Sequence, residues 1–308
     1  MEKTYLFFDI ECANCYGGVG KMCSFGYVLV NSDWEILDED DVVMNPEEEF
    51  DWYLFTGKHG CKLAYSKDYF RSQYNFERYY PSIKKLIETG NRRIFGFSVK
   101  NDIGFLQSAC ERYGLSSINY AAFDVANIID SANKVKEGKG LEEWCKIYNV
   151  PLENFTSHKS SDDAKMTMLL LKAFCKENNE TLETITEKNK GLKISVEKFI
   201  EQREESRHKK EVSEKIFSLY GKKAKAFLSH KLKGNFTLGF KIKNDVDFSL
   251  KVAEQVYKHG GILFRSLKEN GTVIIQDDTS EDVIKSIQER KLKTMTISEL
   301  FNETKLEK

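Results

Sequence analysis

The run Tyr5-Leu6-Phe7-Phe8-Asp9-Ile10-Glu11 constrains this chain more than any other stretch. It reads as a buried β-strand whose end turns polar. Side chains at i and i+2 of a strand point to the same face, so Asp9 and Glu11 project together where the apolar run stops. Two carboxylates that close repel each other. They call for a basic side chain, a shared proton or a hard divalent cation with oxygen ligands. The pair alone also fits a strand running out into a polar loop, so further acids decide its meaning.

The rest of the chain divides by composition. Its 308 residues, 41% of them hydrophobic, are enough for two domains with cores of their own. Lys and Arg (47) nearly balance Asp and Glu (48), so net charge points to no nucleic-acid or membrane partner, and any steering must come from local patches. The odd count of seven cysteines, the lack of a signal-peptide pattern and the lack of an apolar run near 20 residues lead us to expect a cytoplasmic protein with reduced thiols and no membrane partner. Strand-like Tyr5 to Ile10, Cys23 to Val30 and Ile94 to Phe97 alternate with helix-like Asp102 to Tyr113, Leu141 to Tyr148 and Asp162 to Cys175, which predicts an α/β domain over residues 1–178. Residues 179–234, dense in Lys and Glu with sparse Ile194, Phe199, Val212, Ile216 and Phe217, predict a charged helical linker. Compact strand and helix patterns return in residues 235–308 as a second, small α/β domain.

More acids follow in two suitable contexts. The segment RIFGFSVKNDIGFLQSACERY reads as strand, turn and helix, with Asp102 in the first helical turn, where the helix dipole also favours a plain capping carboxylate. In HKSSDDAKMTMLLLKAFC, Ser160 or Ser161 is placed to cap an apolar helix, Asp163 lies in its first turn, and His158 precedes it in the loop. A histidine so placed is either structural or a proton acceptor.

Taken together, Asp9-x-Glu11, Asp102, and His158 five residues before Asp163 resemble the three motifs of the DEDDh (DnaQ-like) 3′-5′ exonuclease family. The likeness runs over about residues 4 to 175 and takes in VMNPEEEF, AAFDVANI and GLEEWCKIYNVP. It implies a ribonuclease H-like domain with a mixed sheet flanked by helices. It further implies that Asp9, Glu11, Asp102 and Asp163 hold two Mg²⁺ or Mn²⁺ ions about 4 Å apart, with His158 as general base. The implied reaction is removal of nucleotides from the 3′ end of single-stranded or 3′-ended nucleic acid, with DNA placed ahead of RNA. A catalytically silent adaptor on the same fold is the competing expectation.

The chain departs from the family in places. Cys12, Ala13, Asn14 and Cys15 stand where many members carry Thr-Thr-Gly or Thr-Gly, and Ser98 stands near the position of a family Asn. The Cys12-x-x-Cys15 pair finds no second such pair among Cys23, Cys61, Cys110, Cys145 and Cys175, so it is expected as packed or reduced thiols rather than a zinc site. The aromatic stretch 50–80 is read as core packing of an insertion, with base stacking as the alternative. Lys222, Lys223, Lys225 and Lys231 form a basic run read as a solvated helix face, with a nucleic-acid backbone as the alternative ligand.

Residues 236 to 305 resemble a BRCT domain, with Gly260-Gly261 at a helix-to-strand turn. The resemblance implies a protein partner, a phosphopeptide or a DNA end as ligand. Lys243, Asn244 and Asp245 replace the Ser/Thr-Gly of phosphate-binding members, Val283 with nearby Lys285 falls at their helix Lys, and Phe301 replaces a frequent Trp.

Overall fold

The computed structural model describes residues 3–56, 62–135, 137–224 and 231–305. The chain divides between Ile200 and Glu201 into two compact units.

The first unit opens with an antiparallel meander of β1 (Thr4–Cys12), β2 (Met22–Val30) and β3 (Ile36–Val43). Two helices, α1 (Lys67–Ser72) and α2 (Phe76–Glu88), lead to β4 (Arg92–Gly96) and α3 (Val99–Arg112). Then come β5 (Ala121–Asp124), α4 (Val125–Asn133), α5 (Leu141–Ile147) and the long α6 (Ser160–Glu177). Last are α7 (Leu182–Lys188), β6 (Lys193–Ser195) and the start of α8 (Val196–Leu219). The strands form one mixed sheet in the order β3-β2-β1-β4-β5-β6, with β4 and β5 parallel to the chain direction of β1 and β6 antiparallel to β5.

Strand alternation divides β1 between two cores. Tyr5 and Phe7 pack with Phe95, Phe123 and residues of α4 to α7, whereas Leu6, Phe8 and Ile10 pack with residues of α2 and α3. The sheet is therefore covered on both faces, which explains why its central strands are apolar almost throughout. By the same alternation Asp9 and Glu11 lie on the face covered by α6.

The charged segment expected as a linker from residue 179 is used differently. Leu182 and Ile185 are buried in the first core, Ile194 and Phe199 pack against the second, and β6 closes the sheet edge beside β5. The first unit accordingly continues to Ile200. A few apolar side chains at the right places suffice to dock an otherwise charged segment.

The second unit takes in the remainder of α8, then β7 (Asn235–Leu238), α9 (Val246–Lys258), β8 (Ile262–Leu263), β9 (Thr272–Ile275), α10 (Glu281–Glu289), β10 (Lys293–Thr296) and α11 (Ile297–Glu303). Its four strands are parallel in the order β10-β9-β7-β8. Val212 and Ile216 of α8, also expected in the linker, are buried in the core of this unit with Phe236, Val252, Leu263 and Ile274. Gly260 has φ +98°, and a Cβ on Gly261 would lie 2.6 Å from Val256, so the pair does form the expected tight turn from α9 to β8. None of the described helices is long and apolar enough to cross a membrane.

Candidate active site

The site begins where β1 outruns β4. Pairing between these strands ends at Phe7–Phe95, while β1 continues to Cys12 and carries Asp9 and Glu11 past the edge of its parallel neighbour. On the other side Asp9 pairs with Gly26 of β2. A Cβ at Gly26 would sit 2.0 Å from the Ser160 carbonyl carbon and the Ser161 nitrogen, so the start of α6 lies directly on the backbone of β2. Only glycine permits that approach.

Polar contacts fix the helix there. Ser160 is fully buried; its hydroxyl donates to Asp41 Oδ1 at 2.6 Å and lies 2.8 Å from Ser24 Oγ. Neither Ser160 nor Ser161 is the expected N-cap: that position is Lys159, with no side-chain bond, and Ser160 turns inward instead. The loop before the helix is held by acids of its first turn. Asp162 Oδ2 accepts from the Thr156 N–H at 2.8 Å, and Asp163 Oδ2 accepts from the His158 N–H at 3.1 Å. These bonds hold His158 at φ +59° and place its Nδ1 3.2 Å from Glu11 Oε1. One ligand atom each from Glu11, His158 and Asp163 lies within 4.8 Å of the other two.

Asp102 arrives from the opposite face of the sheet. It lies in the first turn of α3 but not at its N-cap, which is Ser98 in the left-handed conformation with φ +56°. Asp124 secures this turn: its Oδ1 accepts from the Ser98 N–H at 3.0 Å and from the Ala126 N–H at 3.1 Å, capping α4 as well. Ser98 thus contributes its backbone, and its hydroxyl makes no cap bond. Asp102 is 4% exposed; its carboxylate accepts from the Ile10 N–H, and its Oδ2 is buried with no hydrogen-bond partner among the described residues.

These carboxylates raise one another's pKa. Asp9 is held well above the ordinary carboxylate range, first by burial and then by Asp102, Glu11 and Asp163. Asp102 is raised by burial, Glu11 and Asp124. Asp163 is pushed up to about 7 by burial and by Glu11, with His158 opposing. The structure therefore links the five sequence-predicted residues electrostatically, Asp9 with Asp102, Glu11 and Asp163, Asp102 with Glu11, and Asp163 with Glu11 and His158. Among the described residues Glu11, His158 and Asp163 form the tight group, and Asp9 and Asp102 stand outside it.

The donor chemistry fits hard divalent cations. Carboxylate oxygens predominate, their mutual repulsion is relieved by a proton or a cation, and Asp102 Oδ2 is buried with no hydrogen-bond partner among the described residues. Asp9, Glu11, His158 and Asp163 line a cleft of about 530 Å³ together with Phe97 and Lys146. Lys146, Gly26 and Asp124 were not singled out as site residues in the sequence. Asp124 alone left a local signal, as an acid immediately before a helix.

The Cys12 and Cys15 side chains hydrogen-bond to each other as free thiols; burial holds Cys12 well up, and the bond from Cys12 lowers exposed Cys15 to about 7. Cys61 and Lys225 lie outside the described residues. In the aromatic stretch, Phe50, Leu54 and Phe70 are core residues packed with Ala13 and Cys23, as expected of an insertion, whereas Trp52 and Tyr74 are exposed.

No protein-family model and no curated protein matches the chain. Among solved structures it is similar to E. coli exonuclease I in complex with a dT13 oligonucleotide, at TM-score 0.46 and 14% identity over 57% of this chain and 41% of that one. The zinc-bound form of the E. coli exonuclease I complex with single-stranded DNA gives 0.47 and 15%, over 58% and 42%. A 3′-exonuclease with 3′-end-specific recognition of a histone mRNA stem-loop gives 0.49 and 14%, over 58% and 84%. The chain thus spans about two-fifths of the exonuclease I chains.

Proposed function

We propose that this chain is a metal-dependent 3′-5′ exonuclease of the DEDDh kind on a ribonuclease H-like domain. One observation carries the proposal: Asp9 and Glu11 of β1 and Asp163 of α6 line one cleft with His158, and Asp102 of α3, buried within electrostatic reach of Asp9, has a carboxylate oxygen with no hydrogen-bond partner among the described residues. A structural acid cluster would more simply have been neutralised by Lys or Arg. The strand order, an antiparallel meander followed by two parallel strands on its first member, supports the fold assignment.

Asp9, Glu11, Asp102 and Asp163 would hold Mg²⁺ or Mn²⁺. When bound, such ions neutralise the charge that builds on a phosphodiester during in-line displacement. Asp163 has two duties, since the oxygen that accepts from the His158 N–H also sets where the imidazole stands. Glu11 beside Nδ1 favours the tautomer with its proton on that nitrogen, so Nε2 is the basic atom that takes a proton from the attacking water. Lys146 stands in the cleft wall, 3.9 Å from Glu142, as the one lysine that lines it among the described residues. The second unit is read as BRCT-like, on the support of its four parallel strands in the order β10-β9-β7-β8.

The test is digestion of 5′-labelled single-stranded DNA and RNA with Mg²⁺ or Mn²⁺. A ladder shortening from the 3′ end, lost with chelator and in Asp163→Ala, is the expected result, with DNA cut faster than RNA. Oligonucleotides left intact by folded, metal-supplied protein would overturn the proposal.

A further inference from the structure

The second unit carries a surface unrelated to the carboxylate cleft. Near the end of α8, Phe217 is 41% exposed and stacks on Tyr220, with ring centres 5.8 Å apart and planes at 27°. Just after β8, Arg265 is exposed and lays its guanidinium over Phe217 at 4.3 Å and within 5.8 Å of the Tyr220 ring centre. Lys268 lies over the Phe264 ring at 4.8 Å. The Gly221 N–H donates to the Leu263 carbonyl at 2.8 Å, which ties the turn after α8 to β8 and brings exposed Lys222 and Lys223 to this corner.

Among the described residues none of Arg265, Lys268, Lys222 and Lys223 makes an ion pair. An arginine laid flat on an aromatic ring keeps its edge N–H groups for an anion while its outer plane and the ring edges stay open. Stacking surface interleaved with unpaired cations fits a ligand with flat apolar rings joined by phosphates at short, regular intervals. An acidic peptide would satisfy the cations and leave the rings unused, and a duplex would hide its ring faces.

We propose that Phe217, Tyr220 and Arg265, flanked by Lys222, Lys223 and Lys268, form a binding site for single-stranded nucleic acid on the second unit. Lys222 and Lys223 of the basic run thereby gain a second element, since Arg265 and Lys268 come from a segment more than 40 residues further along the chain. The proposal goes beyond the nuclease assignment and does not depend on it.

The test measures binding of fluorescent oligo-dT by full-length protein in chelator, where no hydrolysis occurs. Phe217→Ala and Arg265→Ala should each weaken binding about tenfold. Lys222→Ala with Lys223→Ala should reduce the salt dependence while leaving the melting temperature unchanged, because both side chains are exposed and make no ion pair among the described residues. Wild-type affinity in all platform variants, equal affinity for a blunt duplex, or no binding by the wild type would each overturn the proposal.

Discussion

The two units handle charge in opposite ways. In the first, like charges are forced together: Asp9, Asp102 and Asp163 all titrate above their ordinary range because burial and their neighbours disfavour ionisation. In the second, the cations of the Phe217 corner are exposed and lie over the rings of Phe217, Tyr220 and Phe264. A buried cluster of one sign is tolerable only when the backbone imposes it, and here β2, β1 and α3 do so through Gly26, the Ile10 N–H and the Asp124-held turn. An exposed cluster needs no such scaffold. The first arrangement stores unfavourable energy that a small, highly charged partner releases, whereas the second offers weak contacts that add up along an extended one.

The largest effect that tests this contrast is on hydrolysis. Asp9→Ala or Asp163→Ala should cut metal-dependent turnover on the order of a thousandfold or more, and near-normal rates in a gel-based nuclease assay would refute the carboxylate assignment. His158→Ala should lower turnover about a hundredfold or more while the melting temperature still rises on adding Mn²⁺. If that stabilisation by metal vanished too, His158 would be a ligand and not a base.

Gly26→Ala asks whether backbone packing imposes the cluster. The added methyl must push α6 off β2, at a cost of about 1 to 3 kcal/mol, and turnover should fall although no chemical group is removed. Denaturant unfolding beside the nuclease assay checks both parts.

The smallest effect is on stability against pH. A carboxyl whose folded pKa lies above its unfolded value favours the native state at low pH and loses that contribution as pH rises. For Asp163 the loss runs from the unfolded range near 4 up to about 7. Metal-free protein should therefore melt several degrees lower at pH 8 than at pH 5, and Asp163→Asn should flatten the slope. Excess Mg²⁺ should reverse its sign, because binding draws on the ionised forms.

Much of the site was legible because its signals are local. Asp9 and Glu11 share a face by strand alternation, and Asp102 and Asp163 each announce themselves in the first turn of a helix. What escaped depends on contacts between distant segments. Gly26 has no chemistry of its own and matters only because Ser160 lies on it. The turn holding Ser98 is secured by an acid on the next strand. In the fold, the sheet and its helices followed from apolar periodicity, but α7 and β6 did not. A three-residue strand inside a lysine-rich stretch has too short a period to register, and its membership in the sheet is decided by the free edge of β5. Val212 and Ile216 were likewise visible as sparse apolar positions, yet only the second core shows that they are anchors.

The bare backbone contact at Gly26 has a mechanical consequence. A side chain between helix and sheet acts as a cushion, able to change rotamer and absorb small displacements; here there is none. Any sliding of β2 is passed undamped to the first turn of α6 and so to the imidazole that this turn positions. The loop carrying His158 is thus geared to β2, and the alignment of the imidazole is as stiff as the strand beneath it.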